Sequence, residues 1–218
     1  MRYLRITNKG ELPKAALSLM GASTKRDDAS KIGMFGTGAK YAIAALLREK
    51  VPVEIRTSET VEAGQWGGID MAQTTLKSYR FKTVPVDMRG HLFDQIYLLE
   101  DSERKGTPLS FTTEMGGLGW TVEHALRELV SNALDEPEPA IKVVAGSDRS
   151  QHAGETAVYV GMTPAVADFW NSIDRWFLFR REPVASGDGW GVYSRWGPGV
   201  RVYRKGVLAY EDPSDSAY

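Results

Sequence analysis

Apolar and polar residues alternate at the start of the chain and then recur at helical spacing. Residues 3–7 alternate as a half-buried strand does, and turn-forming residues follow at positions 8–10. Helices are predicted near residues 12–20, where Pro13 suits a first helical position, and over residues 38–49, an alanine-rich apolar run. The chain therefore opens with a strand and two helices.

Strand-like runs dominate the middle of the chain. They are separated by Gly, Asp and Ser turns and cover residues 51–57, 75–86, 93–100 and 109–113. Since consecutive strands joined by short turns usually pair with one another, these runs predict an antiparallel meander.

Helical spacing returns over residues 121–136, where Thr121 can cap the helix. Two strand-like runs at residues 141–144 and 156–160 then predict a hairpin around a polar loop, and a last helix is predicted over residues 163–175. The overall expectation is α+β: a two-layer sandwich whose mixed, mostly antiparallel sheet is covered on one face by the three earlier helices.

Composition limits the classes of function. The 218 residues include 27 Lys and Arg against 28 Asp and Glu, so the net charge of -1 gives no overall attraction to nucleic acid or an anionic membrane. The lack of cysteine excludes disulfides and thiol chemistry. The longest apolar run, residues 41–47, is far below the roughly 20 residues of a membrane-spanning helix. We expect one soluble, cytoplasmic domain over residues 1–218, with a Trp- and Arg-rich extension over 165–210.

A glycine-rich loop precedes the second helix and is the first candidate site. Its sequence K-I-G-M-F-G-T-G-A-K places Gly33, Gly36 and Gly38 directly before the apolar run. Backbone N–H groups at such a helix start favour anions, phosphate above all. A turn that serves only helix packing is the alternative. A dinucleotide-binding loop fits poorly because no strand precedes the glycines, and the G-K-[ST] ending of a P-loop is missing.

Polar residues on the helix over 121–136 form the second candidate site. Glu128 and Asn132 are four residues apart and therefore share a face, and Asp135 lies close to the same line. A carboxylate can act as a general base toward water, and an amide oxygen is a suitable ligand for Mg²⁺. Solvated surface residues are the alternative interpretation.

Together the two sites resemble the Bergerat-fold (GHKL) ATPases, the superfamily of DNA gyrase B, heat-shock chaperones, histidine kinases and MutL. The run R-E-L-V-S-N-A-L-D-E at residues 127–136 resembles the N-box of that superfamily, E-L-x-x-N-A-x-D. The run I-G-M-F-G-T-G resembles its second glycine box, I-G-x-F-G-x-G.

The order of the motifs differs from that of the superfamily, in which the N-box helix comes first and the glycine box last. Here the first thirty residues look like the missing middle part: a strand, Asn8 to Gly10 in place of D-x-G, and G-A-S-T-K at residues 21–25 in place of the lid element. The resemblance therefore implies a circular permutation, which is tolerable because domain termini usually lie near one another.

The resemblance implies a role for each site residue. Glu128 would activate water, Asn132 would bind Mg²⁺, and Asn8 and Gly10 would contact the base of ATP. The remaining implied nucleotide contacts are Thr24, Lys25, Gly33, Phe35, Gly36, Thr37, Gly38, Lys40 and Asp135. For Lys40 the alternative is a side chain that snorkels from the helix into water. The expected activity is slow, Mg²⁺-dependent hydrolysis of a purine nucleotide.

Asn8 departs from the superfamily, which has an aspartate that accepts a hydrogen bond from the adenine amino group. An asparagine can accept with its oxygen or turn its amide nitrogen inward instead, so the base preference depends on its orientation. The sequence Asp188-Gly189-Trp190-Gly191 superficially resembles D-x-G-x-G, but its glycines are out of phase and no lid element follows, so turn chemistry explains it well enough.

A noncatalytic binding module is the second class of function. Between residues 175 and 205 there are seven Lys and Arg against two Asp and Glu, interleaved with aromatic residues. Basic residues with stacking rings are typical of single-stranded nucleic-acid grooves, whereas the alternative is a set of core aromatics with arginines outside. A protein partner or a homodimer is also compatible with this region. The histidines at 91, 124 and 152 lack the spacing of a zinc site.

Overall fold

The computed structural model describes residues 1–18, 37–66, 69–115, 119–194 and 197–212. Within them the chain forms two compact units, Met1–Val166 and Ala167–Tyr218. The architecture is α+β, with a large antiparallel sheet in the first unit. None of the described helices is long and apolar enough to cross a membrane.

The first unit is organised around a seven-stranded sheet. Its strands are β1 (Arg2–Lys9), β2 (Val53–Trp66), β3 (Ile69–Met88), β4 (His91–Glu100), β5 (Thr107–Thr112), β6 (Ala140–Ala145) and β7 (Glu155–Gly161). Their order across the sheet is β5-β4-β3-β2-β7-β1-β6, and each of these pairs is antiparallel. The predicted meander is therefore confirmed from β2 to β5.

The predicted hairpin between residues 141–144 and 156–160 is wrong. Both strands form, but β1 lies between them and pairs with each, so that Ile6 stands opposite Ile141 on one side and Val158 on the other. Strand β1 lies between β6 and β7 because both of its faces become buried there, as Leu4 and Arg5 show.

The segment that joins β6 to β7 folds over the face of the sheet opposite the helices. The Tyr159 hydroxyl donates to the Ser150 carbonyl at 2.5 Å, and the Arg5 and Arg56 guanidinium groups lie 6.0 and 5.4 Å from the centre of the Tyr159 ring. Arg5 also pairs with Glu155 at 2.5 Å. These polar contacts explain how a sheet face rich in charged residues is buried.

Helices cover the other face. They are α1 (Lys14–Ser18), α2 (Gly38–Arg48) and α3 (Val122–Leu134). Ile43 and Ala44 of α2 pack with Ile55 of β2 and Tyr79 of β3 in one buried cluster. Thr121 caps α3 as predicted, although its reciprocal partner is the side chain of His124.

The second unit is built from shorter elements. Helix α4 (Pro164–Asn171) spans the boundary, and α5 (Ile173–Trp176), β8 (Ala185–Gly187), β9 (Trp190–Val192), β10 (Val200–Arg204) and β11 (Val207–Asp212) follow. The helix predicted over 163–175 is therefore interrupted at Ser172, whose hydroxyl donates to the Asp168 carbonyl at 2.9 Å. Asp188 and Gly189 form the turn between β8 and β9, as turn chemistry predicts.

Candidate functional site

Glu128 and Asn132 contact each other on one face of α3. The Asn132 amide nitrogen donates a hydrogen bond of 3.0 Å to Glu128 Oε1, as expected for side chains one helical turn apart. Both residues are half-buried. The amide nitrogen thus faces the carboxylate, and the bond orients the carboxylate and the amide relative to each other.

Gly38, at the first position of α2, lies directly against this carboxylate. A Cβ atom at Gly38 would lie 1.9 Å from Glu128 Oε1 and 2.4 Å from Glu128 Cδ, so no side chain fits there while Glu128 keeps its position. Thr37 precedes the helix without capping it through its own side chain. The start of α2 and the middle of α3 therefore meet at one point, although their residues are far apart in the sequence.

Lys40 is buried in the first turn of α2. Its side chain is 1% exposed, and it lies on the same helix side as Ile43 and Ala44, which pack on the sheet. Burial lowers the pKa of Lys40 because the charged ammonium loses hydration. The interpretation of Lys40 as a side chain that snorkels into water is therefore wrong.

The turn over residues 8–10 lies beside the C-terminal end of α3. The Lys9 N–H donates to the Pro137 carbonyl at 2.8 Å, just past the helix end at Asp135. By alternation along β1, Asn8 shares the helix-covered face with Leu4 and Ile6, and it is half-buried. Its Nδ2 donates to the Lys9 carbonyl at 3.0 Å.

The spacing along α3 sets the distance between the two ends of the candidate site. At 1.5 Å per residue, Glu128 and Asp135 are separated by about 10 Å along the axis. The Gly38 contact thus marks one end, and the turn at residues 8–10 marks the other.

Five predicted nucleotide contacts lie outside the described residues, as does the predicted lid element at residues 21–25. They are Thr24, Lys25, Gly33, Phe35 and Gly36. Among the candidate site residues that the structure describes, it brings together Gly38, Glu128 and Asn132 at one end, and Asn8, Gly10 and the end of α3 at the other.

Sequence reasoning missed the polar side chains that hold the turn at residues 8–10. The hydroxyls of Thr57 and Thr156 are buried and lie 3.1 Å apart, and Thr156 Oγ1 also donates to the Gly10 carbonyl at 2.7 Å. Polar residues at the ends of strands are too common to mark a site. Only the pairing of β1 with β7, which places Asn8 opposite Thr156, reveals this group.

The arginines of the second unit are largely engaged by acidic and aromatic side chains. Arg175 and Arg201 both pair with Glu211, at 2.5 and 2.7 Å, and the Arg180 guanidinium lies 3.9 Å from the centre of the Trp170 ring. Over residues 167–218 seven Lys and Arg are balanced by seven Asp and Glu. Trp176 and Phe177 are buried, whereas Trp190 is exposed. These contacts do not favour a nucleic-acid groove.

No family model, curated protein or solved structure matches this chain. In the part of the chain that the structure describes, no group of three or more His, Asp or Glu side chains is arranged to hold a metal ion.

Proposed function

We propose that this protein binds ATP and hydrolyses it slowly with Mg²⁺, as a circularly permuted Bergerat-type domain. The contact between Gly38 and Glu128 is the observation that carries the proposal. It joins the two sequence motifs that resemble the phosphate-binding and water-activating elements of that superfamily. A helix start placed against a general-base candidate is suited to a ligand that ends in phosphate.

The sheet order supports the permuted arrangement. Strand β1, which ends at the turn over residues 8–10, pairs with β6, the strand that follows α3. Helix α3 also contacts β1, and the Lys9 N–H bonds to Pro137. The permuted order requires β1 and α3 to be neighbours, because the base-contacting turn after β1 and the N-box helix α3 must border the same ligand.

Asn132 offers one oxygen ligand for a hard cation next to phosphate. Asn132 turns its amide nitrogen toward Glu128, so its amide oxygen is the atom suited to hold Mg²⁺. When bound, Mg²⁺ would neutralise charge on the phosphate oxygens. Lys40, buried beneath the first turn of α2, adds a positive charge on the sheet side of the same helix start.

Glu128 is the residue suited to accept a proton from the attacking water. Its carboxylate accepts the hydrogen bond from Asn132 and lies against the first residue of α2. We expect slow turnover, since Bergerat-fold ATPases often complete their sites with a Lys or Arg from another domain.

Calorimetry with a nonhydrolysable ATP analogue and Mg²⁺ tests the binding step. Wild-type protein is expected to bind, and Asn132→Ala is expected to abolish Mg²⁺-dependent binding because the metal ligand is lost. Asn171→Ala is the matched control, since Asn171 is an exposed asparagine in the second unit. Failure of the wild type to bind any purine nucleotide would refute the proposal.

Steady-state phosphate release tests the hydrolysis step. Glu128→Gln keeps the size and hydrogen-bonding capacity of the side chain but removes the base, so turnover should fall by about 10²- to 10⁴-fold. Glu123→Gln, at the start of the same helix, is the control and should keep wild-type turnover. Equal non-zero rates for Glu128→Gln and wild type would mean that Glu128 is not the base, and absence of phosphate release by the wild type would restrict the protein to nucleotide binding.

A further inference from the structure

Glu11 follows the turn at residues 8–10 and is fixed to β2 by three hydrogen bonds. Its Oε1 accepts from Ser58 Oγ at 2.7 Å and from Thr60 Oγ1 at 2.6 Å, and its Oε2 accepts from the Thr60 N–H at 3.0 Å. The Thr60 hydroxyl, followed by the Ser58 hydroxyl, lowers the pKa of Glu11 below its ordinary value. Both carboxylate oxygens therefore hold the chain that leaves the turn.

The backbone on either side of Glu11 is fixed as well. The Gly10 N–H donates to the Gly154 carbonyl at 2.8 Å, and the Gly10 carbonyl accepts from Thr156. The Leu12 N–H donates to Thr57 Oγ1 at 2.9 Å. Gly10 has a φ of 122°, a conformation that other residues rarely adopt. The turn is thus fastened to β2, to the start of β7 and to the residues that precede it.

This fastening controls which atoms the turn presents. The Asn8 amide nitrogen donates to the Lys9 carbonyl within the turn, so the amide oxygen is the atom turned away from that bond. An oxygen accepts a hydrogen bond from a 6-amino purine, whereas the 6-oxo group of inosine offers no donor at that position. The orientation of Asn8 depends on the Lys9 carbonyl, which the fixed turn holds in place.

We propose that Glu11 is a positioning residue that sets base selectivity by holding the turn at residues 8–10 in one conformation. This inference rests on the proposed nucleotide site, whose base end is this turn. Glu11 acts through Asn8 and does not contact the nucleotide. A turn released from β2 samples other conformations. The affinity for the preferred base then falls in proportion to the fraction of time that the turn spends in the binding-competent conformation.

The test measures base selectivity, which a general loss of stability does not change. Calorimetry gives the affinities of wild type, Glu11→Ala and Glu11→Gln for nonhydrolysable analogues of ATP and of inosine triphosphate. Wild type should prefer the 6-amino analogue by about 10-fold, and Glu11→Ala should bring the ratio of affinities close to one. Glu11→Gln keeps one acceptor oxygen for both hydroxyls and should retain an intermediate ratio.

Glu138→Ala is the matched control, because Glu138 is an exposed carboxylate that pairs with Lys9 in the same turn but does not contact β2. It should keep the wild-type ratio. Absence of ATP binding by the wild type would refute the nucleotide site itself. Wild-type binding without base preference, an unchanged ratio in Glu11→Ala, or equal losses for both analogues would each overturn the role of Glu11 alone.

Discussion

Replacing Gly38 with alanine should move Glu128 without unfolding the protein. The new Cβ would lie 1.9 Å from Glu128 Oε1, 2.4 Å from Cδ and 3.0 Å from Cγ. All three atoms belong to one flexible side chain, so the clash is relieved when Glu128 adopts another rotamer. The displaced carboxylate then loses both its hydrogen bond to Asn132 and its place at the start of α2.

The expected change in stability is small because opposing terms nearly cancel. Alanine is about 1 kcal/mol more favourable than glycine in a helix. The lost hydrogen bond costs about 0.5–1.5 kcal/mol, and a strained rotamer of Glu128 costs a similar amount. The net loss of about 0–2 kcal/mol lowers the melting temperature by several degrees at most. Phosphate release, in contrast, should fall by about 10²- to 10⁴-fold, as for direct loss of the base.

A double-mutant cycle isolates the contact. Melting temperature and phosphate release are measured for Gly38→Ala, Glu128→Ala and the double variant. In the Glu128→Ala background the clash is absent, so Gly38→Ala should become neutral or stabilising. The two changes should therefore be coupled by about 1–3 kcal/mol. The melting temperatures in this cycle test the contact between Gly38 and Glu128 even in the absence of nucleotide.

Two results would refute this reasoning. Wild-type turnover in Gly38→Ala would mean that Glu128 does not act from the observed position. Additive effects on the melting temperature would mean that Gly38 and Glu128 are not in contact in solution.

Two other substitutions test the roles of Lys40 and Glu100. Lys40→Met should preserve the fold, because Met fills a similar buried volume, but lower the affinity for the ATP analogue by about 10-fold in calorimetry. Lys142→Met, on an exposed position of β6, is the control, and unchanged affinity in Lys40→Met would exclude a role in binding. Glu100→Gln should lower the unfolding free energy at neutral pH by about 1–3 kcal/mol, because Lys14 and Lys77 each donate to Glu100 at 2.7 Å. These bonds lower the pKa of Glu100, so their contribution is present above the ordinary carboxyl pKa and is lost as the pH falls through the lowered value. Melting curves of the two proteins should therefore converge in acid, and a constant difference at all pH values would contradict this assignment.

The elements themselves were largely predictable from local patterns. Alternation identified β1 and the strands of the meander, and helical spacing with a Thr121 cap identified α3. Such signals reside in neighbouring residues, so they are present before any tertiary contact forms. The contact between Glu128 and Asn132 was predictable for the same reason, because four residues span about one helical turn.

The hairpin prediction failed because strand partners are chosen over the whole chain. Strands β6 and β7 follow each other in the sequence, yet β1 buries Leu4 and Ile6 by lying between them. The burial of Lys40 was not predictable for a related reason, since a lysine near a helix start is usually solvated. Here the sheet beneath α2 removes it from water.

The sequence by itself determined most strands and helices of the first unit and the shared helix face of Glu128 and Asn132, because these follow from spacing and side-chain type. Only the tertiary structure decided that Gly38 contacts Glu128 and that Asn8 pairs with Thr156. The same is true of Glu11, which fastens the turn at residues 8–10 to β2. Those contacts join segments that are distant along the chain. Their formation depends on the burial gained by the complete sheet and helices, which no local pattern records.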